Sequence, residues 1–234
     1  MTALGLPAGV AACLFDLDGV LTQTAKVHAQ AWKRMFDEFL AGQAGQAPFD
    51  PVHDYDEYVD GKPREDGVRS FLQARGITLD EPQVHELATR KDHIFLELIH
   101  THGVESYPGS IRYLQAVRRA GLKTAVVSSS KNTTEVLKAA GIGGFDAQVD
   151  GNVAEAEHLR GKPAPDTYLA AARKLGLEAA RCAVFEDALA GVAAGRAGRF
   201  GFVVGVDRAG QSEELEAHGA DVVVQDLAEL LSGR

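Results

Sequence analysis

Six short apolar runs, GVAACLFD, LKTAVVSS, FDAQVD, CAVFED, GFVVGV and ADVVVQD, recur along the chain and constrain its fold more than any other feature. They are rich in Val, Ala and Phe and lack the strict alternation of a half-solvated strand, so each reads as a strand buried on both faces. Helical or turn-forming sequence follows each one. That rhythm predicts an α/β protein with a doubly wound parallel sheet covered by helices on both faces.

About a hundred residues between the first and second runs break the rhythm and read as helical. His28, Ala31, Trp32, Met35, Phe36 and Phe39 recur at helical spacing and give one apolar face, with His28 on its edge. Ala41 to Pro51, AGQAGQAPFDP, reads as a loop. Two further helices follow, in YDEYVDGKPREDGVRSFLQARG and LDEPQVHELATRKDHIFLELIHTHG, with stops at Gly76 and Gly103. The expected organisation is a core formed by residues 1–23 and 103–234, interrupted by a small helical domain over 24–102. ALAGVAAGRAG, Ala188 to Gly198, is a poor helix by propensity, but its small residues let a helix lie close against a sheet.

At 234 residues and 45% hydrophobic the chain can bury a substantial core. A net charge of −9 and the lack of a long basic run argue against nucleic-acid binding. An anionic substrate would therefore need a local positive site or a metal ion. Cys13 and Cys182 lie in apolar runs and read as buried free thiols of a reducing compartment. The start of the sequence lacks a signal-peptide pattern and no apolar run reaches membrane length, so the expected location is cytoplasmic, with no membrane partner.

In parallel α/β sheets ligands bind beyond the carboxyl ends of the strands. The first run ends at Asp16 and Asp18, the second at Ser128, Ser129 and Ser130 followed by Lys131, and a later one at Glu186 and Asp187. Four carboxylates converging on one edge repel one another unless a cation sits among them, and a hard divalent ion, most simply Mg²⁺, is the natural partner. An ionised Asp16 could attack a phosphoryl group, with Asp18 giving a proton to the leaving oxygen and taking one back. Gly19 permits a sharp turn and is expected to leave its N–H for phosphate oxygens. Ser128 offers a hydroxyl, and Lys162 in RGKPAPD a positive charge for the developing negative charge. Taken singly, Ser128 reads as a turn residue, Lys162, Arg64 and Lys91 as surface charges and His28 as a packed helix histidine. Their order along the chain, each at or just after a strand end, gives the core set its weight.

LFDLDGVL, VVSSSKN, GKPAPD and VFEDA resemble, in order, the four motifs of the haloacid dehalogenase superfamily, and the helical insertion falls where that family carries its small cap. The resemblance spans essentially the whole chain and implies a Rossmann-like core acting on phosphate esters. Within the superfamily, TAKVHAQAWK, GKPREDGV, ELATRK and SSSKN are similar to segments of the β-phosphoglucomutase family. That resemblance implies Asp16 as nucleophile and Asp18 as general acid and base. It implies Mg²⁺ held by Asp16, the backbone carbonyl of Asp18, Glu186 and Asp187, with Ser128 and Lys162 on the transferring phosphoryl. Arg64, Ser130, Lys131 and Asn132 would hold the distal phosphate, while His28, supported by Lys91 and Thr24, would couple substrate binding to the placement of Asp18. The implied substrates are β-glucose 1-phosphate and glucose 1,6-bisphosphate. Gln23 stands where that family commonly has an acid, Ala188 where a serine is common, and the loop AGQAGQAPFDPVHDYDEYVDG is longer than its counterpart. A sugar-phosphate phosphatase on the same scaffold is the alternative. A receiver-type phospho-acceptor module is about half this length and keeps its acceptor aspartate away from the first strand, and a nucleotide-binding regulator would need a Gly-rich phosphate loop that the sequence lacks.

Overall fold

The computed structural model describes residues 3–60, 62 and 64–232, and the chain divides into two compact units, one of residues 1–23 and 105–234 and one of residues 24–104. The first unit opens with strand β1 (Ala12–Phe15), and the second contains helices α1 (Thr24–Leu40), α2 (Arg64–Ala74) and α3 (Glu81–His102). After α4 (Pro108–Arg119) come β2 (Lys123–Val127), α5 (Thr133–Ala139), β3 (Ala147–Val149), α6 (Gly151–Ala156) and α7 (Asp166–Leu175). The chain closes with β4 (Cys182–Glu186), α8 (Leu189–Ala197), β5 (Phe202–Val206), α9 (Ser212–Ala217) and β6 (Val222–Val224). The six expected strands all form, in a parallel sheet of order β3-β2-β1-β4-β5-β6.

Because β1 pairs with β2 on one side and β4 on the other, the direction of winding reverses at β1, and the crevice beyond its carboxyl end is where such sheets bind ligands. Phe15 is level with Val126 and Phe185, so Asp16, Val127 and Glu186 emerge together at that edge. One face of the sheet buries Leu14, Val127 and Val184 against Tyr168 of α7, Val192 of α8 and Leu215 of α9. The other stacks Phe15 on Phe185 at 4.6 Å, with Tyr113 of α4 6.4 Å from Phe15. Cys13 pairs with Ala183 and Cys182 with Ala12, so the two thiols point to opposite faces, and both are buried and free.

In the helical unit Trp32, Met35 and Phe36 of α1 are buried, Phe36 lying 4.1 Å from Phe71 of α2. A capping box between Asp80 and Gln83 starts α3, and Gly103, at φ 73°, ends it. The unit runs two residues past His102 because the chain reaches the core only where the Glu105 carbonyl accepts from Gln23 N–H at 2.8 Å. The segment read as one helix before Gly76 is instead a π-helical turn, Tyr55–Val59, followed by an extended Asp60 and then α2. Gly61 and Pro63, which fall between them in the motif GKPREDGV, lie outside the described residues. The loop before that turn is pinned: Asp37 accepts from Phe49 N–H at 2.8 Å, and Arg75 donates to the Ala47 carbonyl at 2.9 Å and pairs with buried Asp54 at 2.7 Å. No described helix is long and apolar enough to cross a membrane.

Candidate active site

Asp16, buried, leaves the end of β1 with its N–H donating to the Phe185 carbonyl at 3.0 Å. Lys162 reaches in from the loop before α7, where Arg160 forks onto Asp166 at 2.9 and 3.0 Å and fixes the approach. Its Nζ lies 2.5 Å from both Asp16 Oδ1 and Glu186 Oε1. Tyr168 Oη donates to Glu186 Oε1 at 2.7 Å, and its ring lies 5.1 Å under the lysine. Burial lowers the lysine's pKa, but Asp16 and Glu186 outweigh it and the net shift is upward. The group is a cation across the whole physiological range.

Asp16, Glu186 and Asp187 bring carboxylate oxygens within 4.8 Å of one another. Two glycines make the space. At Gly19, in the left-handed region at φ 84°, a Cβ would overlap the Asp187 carboxylate, and at Gly191 in α8 a Cβ would overlap that of Glu186. One ammonium faces three carboxylates, and burial raises the Asp16 pKa well above the usual carboxylate range, with Lys162 opposing and Glu186 and Asp18 adding to the rise. A further positive charge is what this cluster needs to keep Asp16 ionised, and its hard oxygen donors fit a divalent cation.

Asp18, half-buried, stands outside the three-carboxylate group, its Oδ2 3.5 Å from Ser128 Oγ. The turn after it closes on itself: Gly19 N–H, expected to face a phosphate, donates to the Thr22 carbonyl at 2.8 Å, and Thr22 Oγ1 donates to the Leu17 carbonyl at 3.1 Å. The expectation for Gly19 is corrected accordingly; its contribution is conformation and clearance. Beyond β2 the hydroxyls cap backbone groups in steps of two, Ser130 N–H donating to Ser128 Oγ and Asn132 N–H to Ser130 Oγ, each at 3.1 Å. Lys131 turns to the surface and pairs with Glu155 at 2.8 Å.

The helical unit gathers the other predicted residues. His28 stacks on Phe95 at 4.1 Å, and its Nδ1 lies 2.7 Å from Nζ of Lys91, itself buried between Phe95 and Trp32. An ammonium only donates, so Nδ1 accepts and the ring proton resides on Nε2. Burial, then Lys91 and Arg64, hold the His28 pKa well below its ordinary value, so the ring is neutral. Arg64 pairs with Asp92 at 2.8 Å, and Thr24 is buried at the first residue of α1.

Sequence reasoning missed two residues of the core site. Tyr168 follows GKPAPD by two positions, which was the available signal; Gly191 was read only as tight packing.

The haloacid dehalogenase-like hydrolase family model matches residues 10–199. A β-phosphoglucomutase of Mycobacterium bovis is 54% identical, the match covering 97% of this chain and 94% of that protein. Hexitol phosphatase A of Escherichia coli is 33% identical over 79% of this chain and 77% of its own length. Among solved structures, a β-phosphoglucomutase from Clostridium difficile superposes with a TM-score of 0.78 at 28% identity, covering 94% of this chain and 93% of that one. With the parallel sheet, the acid cluster at its reversal point and these matches in agreement, the chain belongs to the haloacid dehalogenase-like hydrolase family and is an enzyme of it.

Proposed function

We propose that this enzyme is a Mg²⁺-dependent β-phosphoglucomutase that interconverts β-glucose 1-phosphate and glucose 6-phosphate through a phosphorylated Asp16. The observation that carries the chemistry is the Lys162 ammonium seated between Asp16 and Glu186 beside Asp187, a nucleophile whose negative charge is matched on one side and left for a second cation on the other. The similarity to the Mycobacterium bovis mutase supports the choice of sugar.

Asp16, Glu186 and Asp187 would hold the ion with their carboxylates and Asp18 with its backbone carbonyl. Mg²⁺ bound there would keep Asp16 ionised and polarise the phosphoryl oxygens. A carboxylate oxygen of Asp16 forms the new bond to phosphorus, the bond to the sugar oxygen breaks, and that oxygen takes its proton from Asp18. In the return step Asp18 removes the proton of the accepting hydroxyl, and the acyl phosphate passes its phosphoryl group to that oxygen. Lys162 and Ser128 bear on the charge spread over the transferring group. Primed by the 1,6-bisphosphate, the cycle gains and loses phosphate only through the sugar.

Arg64, Ser130, Lys131 and Asn132 would take the distal phosphate. Arg64 and Lys131 must exchange Asp92 and Glu155 for it, an exchange suited to ion pairs that reach solvent. His28, neutral with its proton on Nε2, offers a donor to a sugar oxygen or a carboxylate.

A phosphatase acting through the same Asp16 is the second reading, favoured by the similarity to hexitol phosphatase A. One incubation separates the two: Mg²⁺, β-glucose 1-phosphate and a trace of the 1,6-bisphosphate, with glucose 6-phosphate and inorganic phosphate assayed together. Glucose 6-phosphate with little free phosphate supports the mutase; free phosphate as the main product refutes it in favour of the phosphatase.

A further inference from the structure

Arg208, in the loop after β5, makes a set of contacts that nothing above explains. Its Nε donates to the Gly19 carbonyl at 2.8 Å and its Nη1 to the Gln225 carbonyl at 2.6 Å, while the guanidinium lies 3.5 Å over the ring of Tyr107. Nη2 is buried with no hydrogen-bond partner. Among the described residues no carboxylate pairs with this half-buried cation, so its charge is committed to two carbonyls and a ring. These contacts fix where the guanidinium lies without the help of a counter-ion.

The arginine is itself held rigidly. Asp207 Oδ1 accepts from the N–H groups of Ala209, Gly210 and Gln211 at 3.2, 2.6 and 3.0 Å, and Ser212 Oγ donates to its other oxygen at 2.5 Å. Asp207 N–H donates to the Val224 carbonyl at 2.8 Å, tying the loop to β6. From the same loop Gln211 Nε2 donates to the Asp187 carbonyl at 3.3 Å. A single anchored loop thus reaches the turn after β1 and the turn after β4.

The peptide that Arg208 grips is one residue beyond Asp18. The turn from Leu17 to Thr22 is bonded within itself and, through the Leu21 carbonyl and Thr22, to Tyr107 and Ser106, while Arg208 ties its Gly19 peptide to the loop after β5. We propose that Arg208 is a positioning residue for Asp18: by holding the Gly19 carbonyl it fixes the backbone from which Asp18 delivers its proton to the leaving oxygen. The inference rests on the proposed role of Asp18. A lysine could supply the charge but not two directed bonds and a flat face on Tyr107.

The test separates proton delivery from general damage by the leaving group. A sugar alkoxide must be protonated as it departs, whereas the acetate released from acetyl phosphate need not be. Phosphorylation of Asp16 is followed by rapid quench in wild type, Arg208→Gln and Arg208→Lys with glucose 1,6-bisphosphate and with acetyl phosphate. The expected result is a fall of roughly 10-fold or more with the bisphosphate in Arg208→Gln, little change with acetyl phosphate, and only partial recovery in Arg208→Lys. Equal slowing with both donors, or slowing with neither, overturns the proposal. Should Arg208→Gln fail to fold, Tyr107→Leu removes the supporting ring and is expected to give the same donor-selective loss, smaller in size; a uniform loss there overturns it equally. Wild type that forms no phosphoenzyme from either donor refutes the phosphotransfer reading and this inference with it.

Discussion

Replacing Gly191 by alanine adds one methyl group to α8, and the same change at Gly195, one turn later, is its control. Both substitutions gain about 0.8–1 kcal/mol of helix propensity. At Gly195 the new Cβ would meet Val203 Cγ2 at 3.1 Å and Val184 Cγ1 at 3.3 Å, contacts relieved by a few tenths of an ångström, so the two effects nearly cancel. At Gly191 it would overlap the Glu186 carboxylate, which must retreat by more than about 1 Å to restore van der Waals separation. Glu186 is 1% exposed and bound to both Lys162 and Tyr168, so it cannot retreat without loosening those bonds. Overpacking costs about 1–3 kcal/mol and a weakened charge-assisted hydrogen bond about 1.5–3 kcal/mol. After the propensity gain, Gly191→Ala should be less stable by roughly 2–4 kcal/mol, lowering the melting temperature by roughly 5–15 °C. Phosphoenzyme formation should fall by roughly 10²-fold, the scale expected for a displacement of this size near reacting groups. Thermal melts of the two variants side by side decide the matter; Gly191→Ala as stable as Gly195→Ala would refute the account of α8.

Three further outcomes follow from the geometry. Asp16→Asn removes the proposed nucleophile, so no acid-stable radiolabel should remain on the protein after incubation with labelled bisphosphate, and turnover should be lost; residual labelling would place the nucleophile elsewhere. Because the folded pKa of His28 is depressed, its stabilising contribution is complete above the unfolded value of about 6.5 and is lost as the pH falls towards the folded value. Between pH 7 and about 5.5, urea unfolding of His28→Gln should therefore show a pH slope smaller than wild type by up to about 1.4 kcal/mol per unit; equal slopes would mean that the ring titrates normally. Arg75→Met strands the Asp54 carboxylate and the Ala47 carbonyl that the arginine holds, and unfolding should become easier by about 3 kcal/mol; a change below about 1 kcal/mol would show that solvent replaces those bonds.

The sheet was readable because burial on both faces leaves a compositional mark on each strand, and all six apolar runs became strands. Asp16, Glu186 and Asp187 were readable because the carboxyl ends of adjacent parallel strands meet without further information. Other features depend on contacts between parts of the chain far apart in sequence. Nothing local distinguishes Gly191 as the residue that clears space for Glu186, since any small residue would satisfy the helix. The N–H of Gly19 was assigned to a ligand because a glycine turn exposes backbone groups, but the turn bonded it to Thr22 first. Tyr168 lay on the buried face of α7, where an aromatic reads as packing until its hydroxyl is seen against Glu186. The π-helical turn at Tyr55–Val59 escaped for a different reason, since its side-chain pattern is that of any short helix.

The two chain passages into the helical unit lie side by side on the core. Tyr107 N–H donates to the Leu21 carbonyl at 3.0 Å, Gln23 N–H to the Glu105 carbonyl at 2.8 Å, and Thr22 bridges Ser106. To the sheet, the roughly 80 residues in between are a single loop with its ends already joined. The entropy of closing such a loop grows only as about (3/2)RT ln n, which for this length is about 4 kcal/mol before any constant. Lengthening the insertion by half would add only a few tenths of a kcal/mol. Growth of the helical unit therefore weighs almost nothing on the folding of the sheet, so a chain of this design can lengthen a loop of that unit without disturbing the carboxylates at the ends of β1 and β4.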